Sequence, residues 1–151
     1  MSWPHRLPVR VYFEDTDAGG IAYHATYLRW AERGRTESLR AINLPHQLLI
    51  ARYSSMLVVR RVEVEYVAPA RLDDSLIVET RVLRSGGASV DLAQEVIGEG
   101  GGVKARLQVG LVCVRGEAMR PAPIPEPWRG VFRQAAMADG PARGPAETPA
   151  G

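Results

Sequence analysis

Two carboxylates, a glycine pair and a histidine share one short stretch, Tyr12-Phe-Glu-Asp-Thr-Asp-Ala-Gly-Gly-Ile-Ala-Tyr-His24, just ahead of a long helical pattern. Asp15 and Asp17 can serve as bases or nucleophiles. Gly19 and Gly20 let the backbone bend sharply and approach a ligand closely. His24 stands where the helix begins, and a helix N-terminus offers backbone N–H groups that have no intrahelical acceptor. A carboxylate facing such donors suits hydrolysis of an activated acyl group, because the donors stabilise the developing anion. An Asp-x-Asp pair alone is a weak signal. On residue types alone, Asp17 is better explained as a carboxylate that satisfies orphan helix N–H groups. Asp15 is expected to bond the loop backbone in an Asx turn.

The elements that must hold this loop are legible from hydrophobic periodicity. Residues 8–14 alternate, with Val9, Val11 and Phe13 on one face, and read as a half-buried strand. From about Thr26 to Ile42 the period becomes helical, with Tyr27, Trp30, Ala31, Gly34, Ser38 and Ala41 on the inner stripe. Gly34 weakens an isolated helix by about 1 kcal/mol relative to Ala, so close packing against a neighbour is expected there. Asn43 and Pro45 end the helix. Four strand patterns follow, at residues 57–67, 75–84, 88–98 and 102–114. In the first, Val58, Val62, Val64 and Tyr66 share a face; in the last, Val103, Ala105, Leu107, Val109, Leu111 and Cys113 do. The connections Asp73-Asp74, Ser85-Gly86-Gly87 and Gly98-Glu-Gly-Gly-Gly102 are turn-rich and predict antiparallel neighbours. One strand, one long helix and four strands describe an α+β domain with a helix on one sheet face.

With 151 residues the chain is one domain by default. Nineteen Lys+Arg nearly balance 17 Asp+Glu, and no cluster of cations with stacking aromatics suggests a nucleic-acid surface. The N-terminus lacks the apolar core of a signal peptide, and no apolar run approaches the roughly 18 residues of a membrane span. Cys113, the single cysteine, fits a reducing compartment and a core position. A cytoplasmic protein is expected. Seven of the 11 prolines lie beyond Arg120. Residues 1–135 are expected to form the domain and residues 136–151 a disordered Pro/Ala/Gly-rich tail.

The run RVYFEDTDAGGIAYHATYLRWAERGRTESLR, with YVAPARLDD at residues 66–74, resembles the hotdog-fold acyl-CoA thioesterases of the Tol-Pal-associated YbgC type. More distantly it is similar to the 4-hydroxybenzoyl-CoA thioesterases. The likeness covers roughly residues 8–133. It implies a hotdog fold, an antiparallel sheet wrapped around one long central helix, with protomers paired into a homodimer or homotetramer and the site at their interface. It implies that Asp17 is the catalytic carboxylate, acting as nucleophile or as general base on water. His24 matches the histidine of the YbgC branch, and its backbone N–H is the implied oxyanion donor. Arg84 and Ser89 flank the turn where family members meet coenzyme A, although a solvated turn explains them as well. Phe13 stands where close relatives carry tyrosine, and Gly86 where a basic residue is common. The implied substrate is an acyl-CoA, with acyl carrier protein as an alternative carrier; no metal and no cofactor beyond the substrate's own coenzyme A is implied.

Other readings are weaker. Haloacid-dehalogenase-like phosphatases also carry Asp-x-Asp, but after an apolar strand of a parallel sheet, whereas Glu14 interrupts here. A calcium loop counted from Asp15 would need glutamate at its twelfth position, which is Thr26. A hotdog hydratase and a non-enzymatic hotdog dimer that binds acyl carriers or partners at the cell envelope remain as alternatives. Tyr27 and Trp30 are expected to pack the helix. Glu32 and Arg35 are expected either to form a surface i,i+3 pair or to orient the loop from beneath.

Overall fold

The computed structural model describes residues 3–139. Its elements are β1 (His5–Arg10), a 3-10 turn (Phe13–Asp15), α1 (Thr26–Ala41), α2 (His46–Tyr53), β2 (Ser55–Tyr66), β3 (Ser75–Ser85), β4 (Ser89–Gly98), β5 (Val103–Arg115), β6 (Arg120–Pro121) and α3 (Trp128–Asp139). The sheet is antiparallel in the order β1-β3-β4-β5-β2, with β6 pairing the end of β5. α1 lies across β1, β3 and β4. This is the hotdog arrangement that the resemblance implied. Among the described residues no helix is long and apolar enough to cross a membrane.

Gly34 explains how closely α1 sits. A Cβ there would come 2.8 Å from Val78 Cγ1 and 3.1 Å from both Gln94 Nε2 and Thr80 Oγ1. Buried Gln94 spans the contact: its amide nitrogen donates to Ala31 O (2.8 Å) and Thr80 Oγ1 (2.9 Å), while its oxygen accepts from Arg35 (3.1 Å). Arg35 is therefore engaged by β4, and Glu32 accepts from Thr36 (2.5 Å), so the expected Glu32–Arg35 pair does not form. Burial lowers the Arg35 pKa, with the Glu32 charge opposing. Trp30, Ala31 and Val78 close the core beneath.

The structure corrects several expectations. The first strand ends at Arg10, and Phe13 leaves it for the turn, 81% exposed. The Asp73-Asp74 connection does not join neighbours, because β2 crosses to the far edge beside β5 while β3 pairs with β1. A bulge between Val59 and Arg61 shifts the pattern of β2. Its inner face therefore carries Leu57, Val59, Val62, Val64 and Tyr66, opposite Cys113, Leu111, Val109, Leu107 and Ala105, and Val58 faces outward. The long helix is not alone. α2 packs on β2, and α3 packs on β3, burying Trp128, Phe132 and Ala135. Residues 136–139 belong to α3 and so do not form part of a tail; the remainder of the expected tail lies outside the described residues.

Candidate active site

The loop after β1 is built around Asp15. Its carboxylate accepts the Tyr12 N–H (2.8 Å), closing the 3-10 turn, and the residue is 5% exposed. Its carbonyl accepts the Tyr23 N–H (2.9 Å) and the Thr26 hydroxyl (3.1 Å), which ties the turn to the first residue of α1. Asp15 is thus structural and bonds loop backbone as expected, but it accepts from three residues back and forms no Asx turn; the carboxylate that accepts from two residues ahead is that of Asp17.

Asp17 sits at the tip of the next turn. Its N–H donates to Ile21 O (3.0 Å), its carbonyl accepts the Gly20 N–H (3.0 Å), and its Oδ1 accepts the Gly19 N–H (2.9 Å). Gly20 adopts φ +76°, the left-handed conformation that glycine permits at little cost. The Asp17 carboxylate is exposed in the single chain and caps no helix N–H. The role favoured on residue types alone is therefore not the one it plays.

The helix entrance is open. Ala25 is the N-cap of α1 and contributes no side-chain bond. Among the described residues, neither the His24 nor the Ala25 backbone N–H donates to an intramolecular acceptor. The exposed His24 ring lies 4.3 Å from the Tyr23 ring centroid and 6.4 Å, edge-on, from that of Tyr66. An acidic oxygen with spare lone pairs and a helix N-terminus with unengaged donors thus occupy the two arms of one loop, which Thr16 and Ala22 zip by an antiparallel bridge.

The segment 66–74 clasps this loop. Ala22 donates to Ala70 O (2.8 Å), Leu72 to Gly20 O (3.2 Å), Asp73 to Val11 O (2.9 Å) and Val11 to Asp74 O (2.9 Å). Two tyrosines lock the clasp. The buried Tyr27 hydroxyl accepts the Ala70 N–H (3.1 Å), and the Tyr66 hydroxyl donates to His24 O (3.0 Å). Burial raises the Tyr27 pKa, the bond from Ala70 acting against it. Tyr27 therefore does more than pack the helix, and the Tyr66 contact escapes sequence reasoning altogether. Both tyrosines lie over forty residues from their partners in sequence, and only the place of Tyr66 at the head of the YVAPARLDD run hints at a link.

Arg84 and Ser89 are not with Asp17. The loop meets the start of β3, where Arg10 pairs Ser75, while Arg84 lies at the far end of that strand. Ten residues of strand separate the two ends by about 33 Å. Arg84 Nε bonds Asp91 (3.2 Å) across the hairpin. Arg84 and Ser89 instead line an open cleft of about 550 Å³ with Leu83, Arg133 and Met137. Arg133 and Met137 belong to α3, a helix that the proline-rich surroundings conceal in the sequence. Among the described residues, no group of three or more His, Cys, Asp or Glu side chains is placed to hold a metal ion.

Comparison with known proteins agrees with this architecture. The family model of the thioesterase-like superfamily matches residues 11–132. The chain is 42% identical over 129 residues to the acyl-CoA thioester hydrolase YbgC of Escherichia coli O6:H1, covering 85% of this chain and 96% of that protein. Among solved structures it is similar to a probable thioesterase from Bartonella henselae, with TM-score 0.76 and 33% identity over 80% of this chain and 98% of that one. A thioesterase from Thermus thermophilus complexed with coenzyme A and Zn aligns with TM-score 0.73 and 30% identity, covering 90% of this chain and 97% of the other.

Proposed function

The chain belongs to the thioesterase-like superfamily, and on that footing we propose that it hydrolyses an acyl-CoA thioester to a free carboxylic acid and coenzyme A. The observation that carries this reading is the pairing, in one loop, of the Asp17 carboxylate with an uncapped helix entrance at His24. The thioester carbonyl lies against the His24 N–H, and the Asp17 oxygen not held by Gly19 faces the carbonyl carbon. Asp17 either attacks that carbon directly, forming an anhydride that water then opens, or removes a proton from an attacking water. In both routes the carbonyl oxygen gains negative charge that the helix N-terminus stabilises, and the thiolate of coenzyme A departs. An oxyanion donor contributes about 2.7–4 kcal/mol, and general-base help about 10²–10⁴ in rate.

The site is completed by a second copy. β2 is a 12-residue edge strand, and on its inner face Val59, Val62 and Tyr66 are 49%, 39% and 49% exposed. An open edge beside apolar side chains is a liability in water that pairing removes. Antiparallel pairing of β2 with its copy sets the Tyr66 end of one strand against the Ser55 end of the other. Ser55 lies at the same end of the sheet as Ser89 and Arg84, through β5 and β4. Arg84 and Ser89 of the second copy then lie at the same end of the sheet as Asp17, where the coenzyme A moiety extends away from the reacting carbonyl. Such dimers can double into a tetramer. A cytoplasmic, Tol-Pal-associated role belongs to the same proposal and rests on the resemblance alone.

The test is thiol release from a panel of acyl-CoAs and acyl carrier protein thioesters, run beside Asp17→Asn with circular dichroism to confirm folding. Hydrolysis of at least one thioester, lost at least a hundredfold in the folded variant, is expected. Parent activity that survives in Asp17→Asn removes Asp17 from the mechanism. Binding without thiol release from any member of the panel favours the non-enzymatic dimer instead.

A further inference from the structure

Among the described residues, the Tyr66 hydroxyl is the one side-chain donor bonded to the backbone of the helix entrance, reaching His24 O at 3.0 Å from the last residue of β2. We infer that Tyr66 is a positioning residue for the oxyanion donors, a role that rests on the proposed thioester hydrolysis and adds to it. The peptide group is planar and trans, so its C=O and N–H point in opposite directions. The His24 carbonyl shares its peptide with the Ala25 N–H, the second unengaged donor of the helix entrance among the described residues. A hydroxyl that holds that carbonyl on the β2 side therefore keeps the Ala25 N–H, next to the His24 N–H in the chain, aimed to the opposite side. Ala25 supplies no side-chain cap, and no other side chain among the described residues bonds that carbonyl. Were the peptide free to rotate, its carbonyl could face the developing anion and repel it, since catalysis of this kind depends on dipoles fixed before the reaction.

The surroundings of Tyr66 fit positioning more than binding. Its ring stands edge-on to Tyr27 (centroids 5.4 Å apart) and to His24 (6.4 Å). Tyr27 in turn fixes Ala70, and Ala70 fixes Ala22 on the arm that leads into His24. The hydroxyl of Tyr66 is thus the last link of a rigid set that surrounds the helix entrance from three elements. It is also the point where β2 touches the reacting loop.

Tyr66→Phe in the full chain removes the hydroxyl and keeps the ring contacts. Steady-state hydrolysis of the best acyl-CoA of the panel should show kcat lowered between about fivefold and fiftyfold, less than loss of a whole donor, with KM changed less than twofold. In the substrate-free protein, the amide nitrogen resonance of Ala25 should move by more than that of any residue outside the loop, because its peptide carbonyl loses a hydrogen bond. An unchanged kcat, or a rise in KM with kcat preserved, overturns the inference, as does an Ala25 resonance that does not move. A parent chain that hydrolyses no thioester overturns the functional proposal and this inference together, whereas an active parent with an equally active Tyr66→Phe overturns this inference alone.

Discussion

Replacing Gly34 by alanine sets two known effects against each other, and the geometry decides between them. Helix propensity favours alanine by about 1 kcal/mol. Against this, the added methyl would lie 2.8 Å from Val78 Cγ1, a separation that real Cβ atoms do not tolerate, and 3.1 Å from the Gln94 amide nitrogen and the Thr80 hydroxyl. Overpacking of this kind costs about 1–3 kcal/mol. Pushing α1 outward also stretches the bonds from Gln94 to Ala31 O and Thr80 Oγ1, and each buried group left unsatisfied costs about 1–3 kcal/mol more. The net expectation is about 1–3 kcal/mol of destabilisation, or a fall of roughly 3–10 °C in Tm for a domain of this size. Urea unfolding of Gly34→Ala, beside the double variant with Val78→Ala, measures it. In the double variant the step from glycine to alanine should cost at least about 1 kcal/mol less, because the closest obstacle is gone. A Gly34→Ala protein more stable than its parent would refute the close-packing argument.

His24→Ala should lose less than about tenfold in kcat and His24→Pro about 10²–10³-fold, since only proline deletes the backbone donor; equal losses in two folded variants would assign the role to the imidazole. His46 Nε2 accepts the Leu57 N–H at 2.9 Å, and burial lowers its pKa below the usual 6.5 despite the charge of Glu32. The unfolded chain therefore binds protons first as pH falls below about 6.5, and the parent should lose stability between pH 7 and 5 more steeply than His46→Gln; equal slopes in urea unfolding would contradict this. Finally, light scattering and specific activity across a dilution series should fall together as dimers part, and a fully active monomer would sink the shared site.

What the sequence makes legible is what repeats along it. The period of α1 shows in Tyr27, Trp30, Ala31, Gly34 and Ser38, all of which are buried or packed against the sheet. The alternation of β5 places Ala105, Leu107, Val109, Leu111 and Cys113 on the buried face as expected. Gly19 and Gly20 announce the turn at Asp17. What escapes is what depends on distant partners. Phe13 continues an apolar alternation by type, yet the Asp15 carboxylate captures the Tyr12 N–H and turns the chain before Phe13 can extend β1. The turn residues Asp73 and Asp74 are real, but which strand lies beside β3 is settled by β1, far away in the chain. In α3, Trp128, Phe132 and Ala135 fall at helical spacing, and the prolines on either side mask the pattern. The anchoring hydroxyls of Tyr27 and Tyr66 join residues over forty positions apart, which no local window reveals.

The strand order also governs how the chain must be made. β1 and β2 both leave the ribosome before the strands they pair with exist, because β1 waits for β3 and β2 waits for β5. β3, β4, β5 and the short β6 pair with neighbours in sequence. Folding is therefore expected to start from that late meander and draw the early elements back onto it, a route dominated by distant pairings and accordingly slow. During the wait, β2 offers both edges, together with Val59, Val62 and Tyr66, to any other nascent copy. The same strand proposed to join two finished protomers is then the one most prone to join two unfinished ones, so yield of soluble protein should depend on rate of synthesis more strongly than on final stability.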